Sequence, residues 1–214
     1  MNPKLKKWLD WIEKIQENAH DLLMDQHLFQ EYSEIIRKNP AIQRPSDFHD
    51  WVRKNYASSV ALHIRRQLDM DSDSISIKRL LTEIQNDPQI LTKEWHRSLY
   101  KTLGPSYADK DFEDIAGQGE FFDPNIAKED IEKLDTLGEH IEKYATRRLA
   151  HNSNRPIQTD PTYNDLTNFI NEFEQIMKKY ILLLTASGYE SLLPVWQYDW
   201  AEIFTKPWIK NTAN

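Results

Sequence analysis

An all-α fold, an antiparallel bundle of helices, is predicted by three observations: apolar residues recur at three- and four-residue steps, proline and glycine gather at the borders of those stretches, and no strand-like alternation or hairpin dipeptide interrupts them. Between Pro3 and Pro40 there is neither proline nor glycine, and Leu5, Trp8, Leu9, Ile12, Ile15, Ala19, Leu22 and Leu23 form one helical stripe. Leu28, Tyr32, Ile35 and Ile36 continue in a second phase to Arg37, which predicts a bend near residues 25–27. Pro45 and Ser46 announce the next helix, whose stripe is Phe48, Trp51, Val52, Tyr56, Val60, Ile64 and Leu68. Ile77, Leu80, Leu81 and Ile84 mark another across 74–85, ended by Asn86, Asp87 and Pro88. Thr92 is read as the cap of a helix running to Leu103 and stopped by Gly104 and Pro105.

Residues 104–125 contain three of the five glycines and two of the ten prolines, so they are read as a long irregular connection with one short helix at about 109–115. The helical period then resumes, with Ile131, Leu134, Gly138, Ile141, Ala145 and Arg148 sharing a stripe up to His151. A polar break at 152–161 precedes a last long helix carrying Leu166, Phe169, Ile170, Phe173, Ile176, Met177, Tyr180 and Leu184, expected to end near Gly188. Trp196, Trp200 and Trp208 predict that the aromatic tail, 189–214, folds back on the bundle. A single domain over 1–214 is expected, because the apolar faces on either side of 104–125 look incomplete alone.

The composition narrows the function classes. With 39% hydrophobic and 29% charged residues the chain is globular rather than disordered. It has no cysteine, which excludes disulfides, thiolate metal sites and a cysteine nucleophile, and makes a reducing cytoplasm the expected compartment. The first seven residues are basic, but Asp10 and Glu13 fall inside what would be the apolar part of a secretory signal, so no export is expected. The longest apolar run is Tyr180–Leu184, far short of the roughly 20 residues of a membrane span. A formal net charge of −7 opposes broad attraction to phosphate backbones, so any RNA contact is expected to be local.

One segment carries the means for chemistry. Residues 144–155 read Tyr-Ala-Thr-Arg-Arg-Leu-Ala-His-Asn-Ser-Asn-Arg. On an α-helix Arg147 lies four residues before His151 and Arg148 three before it, so either shares its face. Imidazole gives or takes a proton near neutral pH, and guanidinium holds phosphate through a charged fork, a combination suited to phosphodiester cleavage. Basic residues at a helix C-terminus also complement the macrodipole, so the same spacing has a structural reading. Glu17 and His20 have the Glu-x-x-His spacing of carboxylate-bridged metal sites, but no second such pair accompanies them. No metal and no cofactor are therefore expected. Asp69 to Asp73 lack the glycine and terminal glutamate of a calcium loop and are read as an interhelical turn. Arg65, Arg66 and Asp69 are placed either to pair across the bundle or to support the His151 end.

The stretches Ala61-Leu-His-Ile-Arg-Arg-Gln-Leu-Asp69, Ser74-Ile-Ser-Ile-Lys-Arg-Leu-Leu81 and Arg148-Leu-Ala-His151, the last before a polar turn and a long helix, together resemble the HEPN superfamily, specifically its abortive-infection, AbiU-like branch. The likeness runs roughly from the first helix to the last. It implies a helical bundle that forms a homodimer. In active members it implies a metal-independent ribonuclease, with His and Arg lining a cleft between two subunits and a ribose 2′-hydroxyl attacking the adjacent phosphate. His151 matches the motif histidine. The family pattern leaves four to six residues between arginine and histidine, and those positions are Thr146, Ala145 and Tyr144, so Arg148 or Arg147 would have to substitute from a closer spacing. Two functional readings follow from the resemblance. One is an endoribonuclease of a bacterial defence or toxin-antitoxin type system, with RNA as substrate, His151 moving the proton and Arg148 or Arg147 holding phosphate. The other is a catalytically inactive HEPN-like module that dimerises or holds an antitoxin or other protein partner. A third, structural role needs only the fold.

Overall fold

The computed structural model describes residues 2–101, 104–151, 154 and 159–206. Among these residues the regular structure is all helical, with one isolated antiparallel bridge, Thr92 to Phe121, in place of any strand. Seven α-helices follow in order: α1 (Pro3–Lys38), α2 (Asp47–Leu68), α3 (Ile77–Asn86), α4 (Lys93–Leu99), α5 (Pro105–Ala116), α6 (Pro124–Tyr144) and α7 (Tyr163–Thr185). A side-chain oxygen accepts from an otherwise unpaired first-turn N–H in most of them, namely Ser46 from Phe48, Ser76 from Arg79, Thr92 from Trp95 and Asp123 from Asn125. α7 opens with a reciprocal capping box between Thr162 and Asp165. No described helix is long and apolar enough to cross a membrane.

α1 is one continuous helix through residues 25–27. Its apolar stripe shifts because its partners change along its length. The first half meets α3, where Trp8 Nε1 donates to Glu83 at 2.9 Å. The second half meets α2, where Phe29 stacks on Tyr56 with centroids 3.9 Å apart and Ser59 donates to Asp25 at 2.6 Å. α4 stops at Leu99, with Tyr100 extended, short of the predicted end at Leu103, which lies outside the described residues.

The region 104–125 is not the irregular connection its glycines and prolines suggest. Pro105 occupies the first turn of a twelve-residue helix, where its missing N–H costs nothing, and Gly117 ends that helix at φ 94°. Ala108, Phe112 and Ala116 are buried, and Asp109 and Glu113, one turn apart, meet cations one turn apart on α4. Lys93 donates to Glu113 at 2.8 Å, and Arg97 Nη2 to Asp109 at 2.9 Å. These partners are remote in sequence, which is why the local reading saw only breakers.

α6 and α7 form the centre of the packing, with α6 lying against α2, α3 and α7. Asp130 of α6 is 1% exposed. Lys179 of α7 donates to both its carboxylate oxygens, at 2.9 and 2.7 Å, and the Tyr180 hydroxyl donates at 3.0 Å. Farther along α6, Gly138 admits close approach: a Cβ there would sit 2.4 Å from Leu68 Cδ1 and 2.8 Å from a Phe169 ring carbon. α7 buries ten side chains and ends on Ala186 in the left-handed region, φ 55°, rather than at Gly188. Beyond it, the Trp196 ring lies 5.8 Å from that of His27, and Trp200 and Phe204, on a 3₁₀ turn at Trp200–Thr205, line a cavity with Leu28 and Tyr32. The tail therefore returns to the bundle as far as it is described; Trp208 falls outside the described residues.

A buried carboxylate that loses its hydrogen-bonded cation keeps most of its desolvation penalty, because the remaining cation, Lys133, is half exposed and 3.9 Å away. Lys179→Met is expected to destabilise the protein by about 3–5 kcal/mol, whereas Asp130→Leu combined with Lys179→Met recovers most of that loss. Urea unfolding of the two variants measures both. His96 of α4 supplies a second test. It is wholly buried, and its Nδ1 lies 3.0 Å from the Leu183 carbonyl, so the ring proton is on Nδ1 and Nε2 is an acceptor without a partner among the described residues. Burial holds its pKa below the ordinary 6.5, and it does the same for His63. A histidine with a lowered folded pKa stabilises fully above its unfolded value and loses that contribution as pH falls through the folded one. The urea midpoint is thus expected to fall on acidification below about pH 6.5, and less steeply in His96→Leu.

Candidate functional site

The end of α6 widens before it stops. Residues Ala145–Ala150 form a π-helical turn, closed by the His151 N–H bonding the Thr146 carbonyl at 3.1 Å, and His151 itself is extended at φ −134°, ψ 138°. Ala145 is fully buried, and Tyr144 and Leu149 pack against the core, which holds the inner side of the turn. The outer side presents Arg148 and His151 as exposed residues, and Arg147 is half-buried.

His151 therefore does not continue the α-helical face of the two arginines. The expected three- and four-residue register assumed an α-helix, and the extra residue in the π turn removes that phase. Arg147, Arg148 and His151 still belong to one turn and its cap, and both arginines are engaged with neighbouring groups. Arg147 and Arg148 lie in the last turn, where their charge complements the carbonyl end of the helix. Of the predicted polar break at 152–161, residues 152–153 and 155–158 lie outside the described residues.

α2 supplies the outer brace. Arg65 Nε donates to the Thr146 hydroxyl at 3.0 Å. Thr146 stands at one of the three positions from which the family pattern would supply its arginine, and a guanidinium reaches that place from another helix. The contact answers the question left open for Arg65, since it supports the His151 end of the fold. Thr146 itself was not singled out from sequence, and only its position five residues before His151 signals it. Glu142, half-buried one turn earlier, has its carboxyl held above the usual range, chiefly by burial; Lys78 and Arg65 oppose that shift, and Asp135 and Asp69 add to it. Lys78 is itself paired to Asp135 at 2.6 Å.

The remaining candidates do not converge. Glu17 is exposed and His20 half-buried on α1, and among the described residues no group of three His, Asp or Glu is placed to hold a metal ion. A cavity of ≈ 350 Å³ not foreseen from sequence lies between α1 and the start of α2, lined by Tyr32, Arg44, His49 and Arg53 among others. Its histidine is used structurally: Nε2 bonds the Ile42 carbonyl at 2.8 Å and Nδ1 accepts from the Tyr32 hydroxyl. Arg53 is paired with Asp50.

Removing the Thr146 hydroxyl leaves Arg65 Nε without its acceptor. Thr146→Val is expected to cost about 1 kcal/mol of stability, measured by denaturant unfolding, with the helix content unchanged by circular dichroism.

Comparison with known proteins agrees with this architecture. No curated protein and no solved structure matches the chain. A family model, HEPN_AbiU2, described as AbiU2, matches residues 5–204, from the first turn of α1 to the 3₁₀ turn of the tail. The chain accordingly belongs to the AbiU2 family of HEPN proteins, the abortive-infection branch of that superfamily.

Proposed function

We propose that this protein is an RNA-directed effector of a bacterial defence or toxin-antitoxin type system, a metal-independent endoribonuclease that acts in the cytoplasm as a homodimer. The observation that carries the reading is the exposure of His151 at the cap of a turn that also carries an exposed Arg148 and a half-buried Arg147. An imidazole in water on the same turn as two arginines suits a reaction in which one proton moves while negative charge grows on phosphorus-bound oxygen. In this reading His151 takes the proton of a ribose 2′-hydroxyl. The freed oxygen bonds to the adjacent phosphorus, the bond from phosphorus to the 5′-oxygen of the next nucleotide breaks, and that oxygen leaves with a proton from solvent or from the imidazolium. The products are a 2′,3′-cyclic phosphate and a 5′-hydroxyl. Arg148 or Arg147 holds the phosphate and offsets the charge that develops on it. The net charge of −7 makes this local cluster, rather than the whole surface, responsible for RNA contact.

One observation favours the second reading, a catalytically inactive HEPN-like module that dimerises or holds an antitoxin or other protein partner. The π turn takes His151 out of α-helical register with both arginines, so the spacing of the family motif is met neither in sequence nor in helical phase.

Expression in a bacterial host separates the two. The wild type is expected to slow growth and to generate RNA with cyclic phosphate ends, with cleavage unaffected by a metal chelator. His151→Ala, and Arg147→Ala combined with Arg148→Ala, are each expected to lower cleavage by roughly 10²-fold or more. An inert wild type, produced without any co-expressed inhibitor, decides for the binding module.

A further inference from the structure

Thr146 joins two lines of contact. Its carbonyl accepts the backbone N–H of His151 at 3.1 Å, and its hydroxyl accepts Arg65 Nε at 3.0 Å. A guanidinium from α2 and the backbone of the candidate proton-transfer residue are thus anchored on opposite polar groups of one residue. The guanidinium is a planar fork with five N–H donors, so a bond through Nε leaves the four hydrogens on the two Nη atoms for another acceptor. Arg65 is half-buried, which keeps part of it in contact with solvent, and it makes no ion pair within 4.0 Å among the described residues. Glu142 lies near enough for the Arg65 charge to influence its titration, yet no bond joins them among the described residues. A forked cation with no carboxylate bound to it among the described residues, held on the residue whose carbonyl also bonds the His151 backbone, has the chemistry of a phosphate holder.

We infer that Arg65 is a phosphate-binding residue of the His151 site, its Nη edge receiving two oxygens of an RNA phosphodiester while Thr146 fixes its orientation. The inference rests on the RNA-directed reading and adds a third helix element to it. It makes the site a product of tertiary packing: α2 brings the charge, α6 brings the histidine, and the π turn sets them on a common residue.

The test separates a phosphate contact from a brace. Binding of a fluorescein-labelled single-stranded RNA of mixed sequence is followed against salt concentration, on the His151→Ala protein so that the strand stays intact. Cleavage of the same RNA is followed with the histidine present. Arg65→Ala is expected to weaken binding and to reduce the slope of log affinity against log salt by about 0.7, the share of one phosphate contact on a single strand. Arg65→Lys, which keeps the charge and protects against misfolding as an explanation, is expected to retain the slope but lose cleavage through loss of the fork. Thr146→Val frees the guanidinium without removing it and is expected to leave the slope intact. If Arg65→Ala leaves the slope unchanged, or Thr146→Val matches it in lost affinity, Arg65 is a brace only and the inference is overturned while the RNA-directed reading stands. If the wild type neither binds nor cleaves the RNA, both are overturned together.

Discussion

Asp130 lies almost wholly out of water, and a carboxylate can stay there only if other groups replace its hydration shell. Lys179 and Tyr180, consecutive residues on α7, supply a cation and a hydroxyl to it, and both must be in reach at once. That requirement sets the height and rotation of α6 against α7. Two turns on, Gly138 lets Leu68 of α2 and Phe169 of α7 come against the α6 backbone. Beyond these two contacts the end of α6 packs beside α2, and it is there that Arg65 finds Thr146. The same network leaves its mark on Tyr180, whose hydroxyl is pushed well above its ordinary range, first by burial and then by the neighbouring carboxylate.

The π turn is the local consequence. A helix that continued in α geometry would keep the stripe of Ala145 and Arg148 on one line, whereas here Ala145 and Leu149 are drawn to the core while the chain still has to leave the bundle at His151. Inserting one residue in the last turn satisfies both demands. π turns of this kind recur at functional sites because the widened turn re-aims side chains that an α-helix would hold in fixed phase. Here it places a histidine at an exposed, extended cap, outside the helix that positions it.

Polar groups elsewhere are spent on holding elements together. His96 ties α4 to α7 through the Leu183 carbonyl, and Glu83 ties α3 to α1 by accepting from Trp8 and Lys7. His49 ties the start of α2 to Tyr32 on α1. These groups are rich in titratable chemistry, yet each is held by at least one hydrogen bond inside the fold. This distinguishes them from His151, which faces solvent.

The helical class, the starts of α2, α4 and α7, and most of the buried stripes are legible from sequence, because periodicity and capping act between residues three or four apart. The sequence also carried the family resemblance and singled out the Arg147, Arg148 and His151 segment. Tertiary structure decided the rest. Whether 105–116 is helix or loop depended on Lys93 and Arg97 waiting on α4, and the shift in the α1 stripe follows which helix each half meets. The register of His151 depended on how the last turn of α6 reconciles a buried Ala145 with an exit to solvent. The meeting of Arg65 with Thr146, eighty-one residues apart, has no trace in local spacing. Such contacts are settled by packing of whole helices, which no short-range pattern encodes.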